Sequence, residues 1–279
     1  LTFLQALLAG AIQGITEFLP VSSSGHLVIF HATFGESYES NMAFTVFLHL
    51  ATLLSVFIMF HKDIWMLIRE FFSAIGDCFK GKANFKTPER RFLLMVIIGS
   101  IPAAIVGVSM VLLGIDDMLE NIFVVATMLI LTATLMYLVD KLNKGNFTEK
   151  NAPLKSAWMV GLAQACALVP GLSRSGSTIF GGVLSGLTKE FAVRYSFILS
   201  IPIILGSGLV YLFDIVRTDT IEIEPLYWLA GFITAAICGI FAIKFIKVLI
   251  NSSKFYIFSI YCLLASAFAF LVGFGVIGG

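Results

Sequence analysis

The sequence predicts an all-α integral membrane protein, an inverted-topology repeat of six transmembrane helices and two re-entrant helical hairpins. Three observations point there. Hydrophobic residues make up 58% and charged residues 13% of the 279, with a mean hydropathy of +0.97, whereas soluble domains carry about 25% charged residues. Two polar islands, Glu17-Phe18-Leu19-Pro20-Val21-Ser22-Ser23-Ser24-Gly25-His26 and Pro170-Gly171-Leu172-Ser173-Arg174-Ser175-Gly176-Ser177-Thr178, interrupt apolar stretches in corresponding places of the two halves. The charges outside those islands sort by sign along the chain.

Residues 1–19 are interrupted by Gln13, Thr16 and Glu17, and residues 25–34 are too few to cross a bilayer alone, since a span takes about 20 apolar residues. Two short segments joined by Pro-Val-Ser-Ser-Ser-Gly read as a re-entrant hairpin, tolerated at membrane depth only where protein or a watery cavity satisfies its backbone. The first apolar run has no basic segment and no small-residue cleavage site before Pro20, so it is expected to stay in the mature fold. After an acidic loop at 35–40, residues 41–60 form a span. Residues 62–80 mix charges with Ile64, Trp65, Leu67, Ile68, Phe71 and Phe72, as an interfacial amphipathic helix would. Residues 92–114 and 121–139 are the next spans, separated by a turn holding Asp116, Asp117 and Glu120. The polar connection 140–155 is the one internal boundary. Beyond it, 156–169 and 176–187 repeat the short-segment pattern, followed by spans at 195–213, 228–250 and 255–274. Cys78, Cys166, Cys238 and Cys262 stand singly, with no spacing that suggests a metal site or a disulfide framework.

Orientation follows from the placement of lysine and arginine. With 62–91, 140–155, 189–194 and 244–254 on the cytoplasmic side, that side holds every basic residue except Arg174 and Arg217. The other side receives Glu36, Glu39, Asp116, Asp117, Glu120, Asp214, Asp219, Glu222 and Glu224. The first hairpin then enters from outside and the second from the cytoplasm, so that their tips meet near the midplane.

Self-comparison supports one membrane domain, 1–279, made of two repeats, about 1–139 and 156–279. An offset of 151 residues aligns Gly10 with Gly161, Gln13 with Gln164, Ser22 with Ser173, Ser24 with Ser175 and Gly25 with Gly176. An offset of 132 aligns Gly99–Gly107 with Gly231–Gly239, identical at six of nine positions. Three spans per repeat, an odd number, require the copies to be inverted. In the first register Ser23 aligns with Arg174 and His26 with Ser177, so the halves differ where chemistry would need them to.

An arginine near the bilayer centre costs at least about 2.5–3.5 kcal/mol on insertion scales and marks a site by default. The plainest alternative is a buried Glu17–Arg174 pair that only locks the hairpins, but it explains neither the hydroxyls nor His26. Serines and glycines around one arginine suit a phosphate: glycine lets backbone N–H groups approach, hydroxyls donate, and the guanidinium forks onto two oxygens. Ser22, Ser24, Gly25, Ser173, Ser175, Gly176 and Thr178 are candidate donors to it, with loop-satisfying hydroxyls as the bland reading. His26, three positions beyond Ser23, could move a proton for phosphoryl transfer through a serine. Gln13 and Glu17, one turn apart, could hold a divalent cation. His31, His49 and His61 read as packing or interfacial residues.

Gln13-Gly-Ile-Thr-Glu17-Phe-Leu-Pro-Val-Ser-Ser-Ser-Gly-His26 and Pro170-Gly-Leu-Ser-Arg174-Ser-Gly-Ser-Thr178 resemble the two signature motifs of the bacterial undecaprenyl-diphosphate phosphatase, or bacitracin-resistance, family. The likeness extends over essentially the whole chain. It implies hydrolysis of the C55 isoprenyl diphosphate to the monophosphate, recycling the lipid carrier for cell-wall polymers. It also implies residence in the bacterial plasma membrane, a site open to the outer face, and dependence on Mg2+ or Ca2+. Position by position it makes Ser23 the nucleophile, His26 its acid/base partner, Arg174 the diphosphate clamp and Glu17 the metal-associated acid; a histidine nucleophile or direct attack by water stay open. The family motif accepts glutamate or glutamine at its first position, here Gln13, which leaves Glu17 its one carboxylate. Expected partners are the polyprenyl diphosphate and membrane lipids, with no nucleic acid; a homodimer stays open.

Two rival readings exist. A polyprenyl-phosphate transporter or flippase could use the same midplane phosphate site, because inverted repeats with broken helices are a transporter design. A second membrane phosphatase class combines Lys-x6-Arg-Pro, Pro-Ser-Gly-His and Ser-Arg-x5-His-x3-Asp; here Lys-x6-Arg-Pro is missing and no histidine follows Arg174.

Overall fold

The computed structural model describes residues 2–34, 42–81, 84–85, 87–114, 121–142, 145–218, 224–250 and 254–277. These form eleven helices. They are α1 (Phe3–Phe18), α2 (Ser23–Phe34), α3 (Met42–Met59), α4 (His61–Phe79), α5 (Pro88–Leu113), α6 (Ile122–Lys141), α7 (Leu154–Cys166), α8 (Arg174–Leu184), α9 (Lys189–Thr218), α10 (Pro225–Ile250) and α11 (Tyr256–Gly273). The chain is a multi-pass membrane protein: α5, α6, α9, α10 and α11 are long and apolar enough to cross a bilayer, and α3 becomes the sixth when counted with α4. The chain bends by 89° between α3 and α4, so α4 turns away from the span that precedes it, as an interfacial helix requires. The acidic loop 35–40 and the turn with Asp116, Asp117 and Glu120 lie outside the described residues, as do Asp219 and Glu222.

The two hairpins take their shape from length and from their breaks. At about 1.5 Å per residue, α1, α2, α7 and α8 each fall short of a hydrocarbon core about 30 Å thick. Leu19–Pro20–Val21 separates α1 from α2, and the irregular stretch 167–173 separates α7 from α8. The helices after the breaks begin earlier than the glycines suggest. Ser23 and Arg174 are first residues of α2 and α8, not members of the loops, because Ser22 and Ser173 take the capping role. Ser22 Oγ accepts from Gly25 N at 3.3 Å and Ser173 Oγ from Gly176 N at 3.0 Å.

Small residues set the helix packing. α1 lies along α10 and α7 along α5. A Cβ on Gly10 would stand 2.5 Å from the Gly231 carbonyl oxygen, and one on Gly161 2.6 Å from that of Gly99. In membranes such close backbone approach is a main source of helix association. The two sequence offsets carry one pair onto the other, since Gly10 aligns with Gly161 and Gly231 with Gly99. Valine at Gly10 or at Gly161 is expected to cost about 1–3 kcal/mol by overpacking. The check is the thermal midpoint of each variant in detergent micelles; melting alongside wild type would contradict the close approach.

Charges from three of the basic stretches gather at one end. Arg194 at the start of α9 pairs with Asp63 on α4 and with Glu149 of the connecting segment. Lys189 Nζ lies 2.9 Å from Asp140 at the end of α6, whose other oxygen accepts from Tyr256 N at 2.9 Å. Arg90 at the start of α5 holds α4 through Glu70, at 3.1 Å, and Asp77, at 2.5 Å.

Candidate functional site

The hairpin tips touch. A Cβ on Gly25 would stand 3.1 Å from Gly171 Cα, and Ser175 Oγ donates to the Leu19 carbonyl at 3.1 Å. Two helices therefore start in one place, and the first turns of α2 and α8 bring backbone N–H groups that the helices themselves leave unpaired. The positive ends of both dipoles favour an anion there.

At this junction Glu17 is buried near the end of α1, and its two oxygens face different partners. Oε1 pairs with Arg174 Nη2 from the other hairpin. Oε2 accepts from Ser23 Oγ at 2.6 Å and from Gln13 Nε2 at 3.0 Å. His49 Nε2 on α3 comes within 3.6 Å of the same oxygen. Arg174 is also held by the Ser196 carbonyl at 3.4 Å, and Ser196 Oγ meets Thr178 Oγ1 at 2.6 Å.

Burial sorts these groups. Ser23, Ser24, His26, His49 and Arg174 are partly exposed, whereas Gln13, Glu17, Ser22, Ser173, Ser175 and Thr178 are buried. Most of the candidate donors are therefore committed within the protein: Ser173 caps α8, Ser175 binds Leu19, and Thr178 Oγ1 bonds the Arg174 carbonyl at 2.8 Å. Gly176 N is taken by Ser173 Oγ, and Ser22 Oγ is 3.4 Å from Ser24 Oγ. These residues build the junction, and Ser23, Ser24 and Arg174 are the partly exposed hydroxyls and guanidinium beside them.

His26 does not bond Ser23. Its Nδ1 lies 2.7 Å from the Ser22 carbonyl and its Nε2 2.8 Å from Tyr261 Oη on α11. The carbonyl of Ser22, at φ 73°, draws the ring away from Ser23, and the serine turns to Glu17 instead.

Gln13 and Glu17, the expected cation pair, bond each other. Gln13 presents its amide NH2 to Glu17, leaving Oε1 buried with no partner among the described residues. The carboxylate is already met by a guanidinium, a hydroxyl and an amide, so these residues do not fit a resident metal ion. Among the described residues no group of three or more His, Cys, Asp and Glu is placed to hold one.

Two contacts escaped the motif reading. Thr45, His49 and Thr52 stand at positions i, i+4 and i+7 of α3, a polar stripe on an apolar span that could have signalled a face turned to the site. Tyr261 carried no signal, since tyrosine is common near membrane interfaces.

A family model described as bacitracin resistance protein BacA matches residues 6–268. Among curated relatives, an undecaprenyl-diphosphatase of Methanosphaera stadtmanae is 41% identical over 271 residues, covering 94% of this chain and 95% of that protein. One from Methanobrevibacter smithii is 42% identical over 276 residues, 96% of each chain. One from Halothermothrix orenii is 38% identical over 260 residues, 91% of each.

Proposed function

The chain belongs to the family of bacitracin resistance protein BacA, and from that premise we propose that it hydrolyses undecaprenyl diphosphate to the monophosphate and inorganic phosphate. The reaction recycles a lipid carrier of cell-wall synthesis and confers bacitracin resistance. The observation that carries the reading is the junction of Glu17, Ser23 and Arg174 where two helices begin. The flippase reading gains no support from relatives named as diphosphatases.

In the proposed reaction Arg174 exchanges Glu17 for the diphosphate, with the first-turn N–H groups of α2 and α8 completing the cradle. The exchange leaves the carboxylate without its cation at the moment the Ser23 proton must be taken. Ser23 Oγ attacks the terminal phosphorus, its proton passes to Glu17 Oε2, and the anhydride P–O bond breaks to release the prenyl monophosphate. Water then attacks the seryl phosphate and gives a proton to His26. The Ser23 O–P bond breaks, Ser23 recovers its proton from Glu17, and the proton on His26 leaves with the phosphate or to solvent. The divalent cation is proposed to arrive on the diphosphate as its counter-ion, not to reside on Gln13 and Glu17.

We further propose that the two halves, 1–139 and 156–279, are inverted copies, which the exchange of packing partners between α1–α10 and α7–α5 supports. With the basic end on the cytoplasmic side, the site faces the outer side of a bacterial plasma membrane. The test is phosphate release from a polyprenyl diphosphate by the purified protein, with and without chelator. Turnover is expected, with loss on chelation that restored Mg2+ or Ca2+ reverses. A wild-type protein that releases no phosphate under any of these conditions sinks the reading; movement of labelled polyprenyl phosphate between leaflets without hydrolysis would favour the flippase.

A further inference from the structure

His26 is held from two sides. A backbone carbonyl can only accept, so the 2.7 Å contact with Ser22 O puts a hydrogen on Nδ1. In the neutral ring Nε2 is then the acceptor, and the Tyr261 hydroxyl 2.8 Å away is its donor. The two rings stack, with centroids 5.5 Å apart and planes within 6°. Each support is itself fixed. Ser22 is the one non-glycine at positive φ among the described residues, and its carbonyl also receives His26 N–H at 3.2 Å. Backbone strain of this kind persists where the surroundings enforce it, and it clusters at functional sites.

Tyr261 comes from the second half of the chain, on a helix pinned just beyond it. Cys262 Sγ is buried 3.9 Å from the Pro20 carbonyl, and Ser266 Oγ donates to the Ala126 carbonyl on α6 at 2.7 Å. Tyr261 is 44% exposed, so the stacked pair stands at an accessible edge of the junction, apart from the buried Glu17. α11 therefore carries a rigid hydroxyl to a histidine on a different hairpin, fixing both its tautomer and its plane.

We propose that Tyr261 is a positioning residue of the hydrolase: it holds His26 with Nδ1 protonated and the Nε2 lone pair aimed at the accessible edge, where the attacking water takes the place of the Tyr261 hydroxyl and gives Nε2 its proton. The role rests on the hydrolytic reading given above. It is distinct from the packing role of a membrane tyrosine because it depends on one hydroxyl. An imidazole released from that hydroxyl can rotate or change tautomer, and general-base catalysis is sensitive to both.

The experiment uses the full-length protein in detergent micelles, comparing Tyr261→Phe, which keeps the stack, with Tyr261→Leu, which loses stack and hydroxyl. For Tyr261→Phe we expect kcat to fall about tenfold or more, with KM within about twofold and an unchanged thermal midpoint. Tyr261→Leu should lose more. In protein labelled with nitrogen-15 at histidine, the His26 Nε2 resonance should shift in Tyr261→Phe towards that of a ring freed of its donor. A Tyr261→Phe enzyme with kcat within twofold of wild type overturns the proposal, as does a loss carried wholly by KM. An unmoved His26 resonance overturns the contact itself. If wild type releases no phosphate, the kinetic role falls with the hydrolytic reading, while the resonance still decides whether Tyr261 sets the His26 tautomer.

Discussion

Arg174→Ala is expected to reduce phosphate release by at least about 10³-fold, the scale seen when a donor aimed at transition-state charge is removed. It should also destabilise the protein, because Glu17 is left buried with no cation; stranding one partner of such a pair costs about 3–5 kcal/mol. The two effects separate in the Glu17→Gln/Arg174→Ala double variant. With no carboxylate to strand, much of the lost stability should return, read as the thermal midpoint in micelles. Activity should not return, since the diphosphate still lacks its clamp. This comparison decides between the two readings of the pair. If the double variant regains wild-type turnover, Glu17 and Arg174 only lock the hairpins. If stability recovers and turnover does not, the pair is a resting partnership that substrate displaces.

The broad plan was legible because membranes leave few choices for a backbone. Spans 41–60, 92–114, 121–139, 195–213, 228–250 and 255–274 each fall on one helix, though α5 and α9 begin earlier, at Pro88 and Lys189. Charged first turns read as loop in an apolar scan, but a helix can carry them into the interface; Thr87 caps α5 and accepts from Arg90 N at 3.4 Å. The glycines that the two offsets align, Gly10 with Gly161 and Gly99 with Gly231, are ones where helix backbones approach closely, Gly10 against Gly231 and Gly161 against Gly99. The partners inside the site were less so. Spacing puts His26 one turn from Ser23, yet it says nothing of the Ser22 carbonyl that turns the ring towards α11. His49 and Tyr261 reach the site from α3 and α11 across tertiary distances that no motif encodes. The buried hydroxyls were read from composition as phosphate donors. Geometry spends Ser173, Ser175 and Thr178 on caps and carbonyls, which buried polar groups require.

Ser23→Ala removes one hydroxyl and leaves every other contact of the junction in place, so it isolates chemistry from architecture. Glu17 Oε2 would keep Gln13 Nε2, and Oε1 would keep Arg174. Folding should therefore change little, whereas loss of a nucleophile is expected to lower kcat by at least about 10³-fold. Direct attack by water predicts a milder loss, because a serine that only orients the phosphate contributes one hydrogen bond, worth about 1.5–3 kcal/mol to a charged group. The routes also differ in an intermediate. Rapid acid quench with substrate labelled in its terminal phosphate should trap label on the peptide containing Ser23. Glu17→Gln should slow formation of that label, since the group that accepts the Ser23 proton is gone. His26→Ala should let the label form and then persist, since His26 acts on the water that removes it. A Ser23→Ala enzyme keeping a tenth or more of wild-type turnover, with no trapped label in wild type, would move the reaction to water. Glu17 and His26 would then exchange importance: the histidine would serve the single attack and the carboxylate would do no more than hold Ser23 and Arg174 in place.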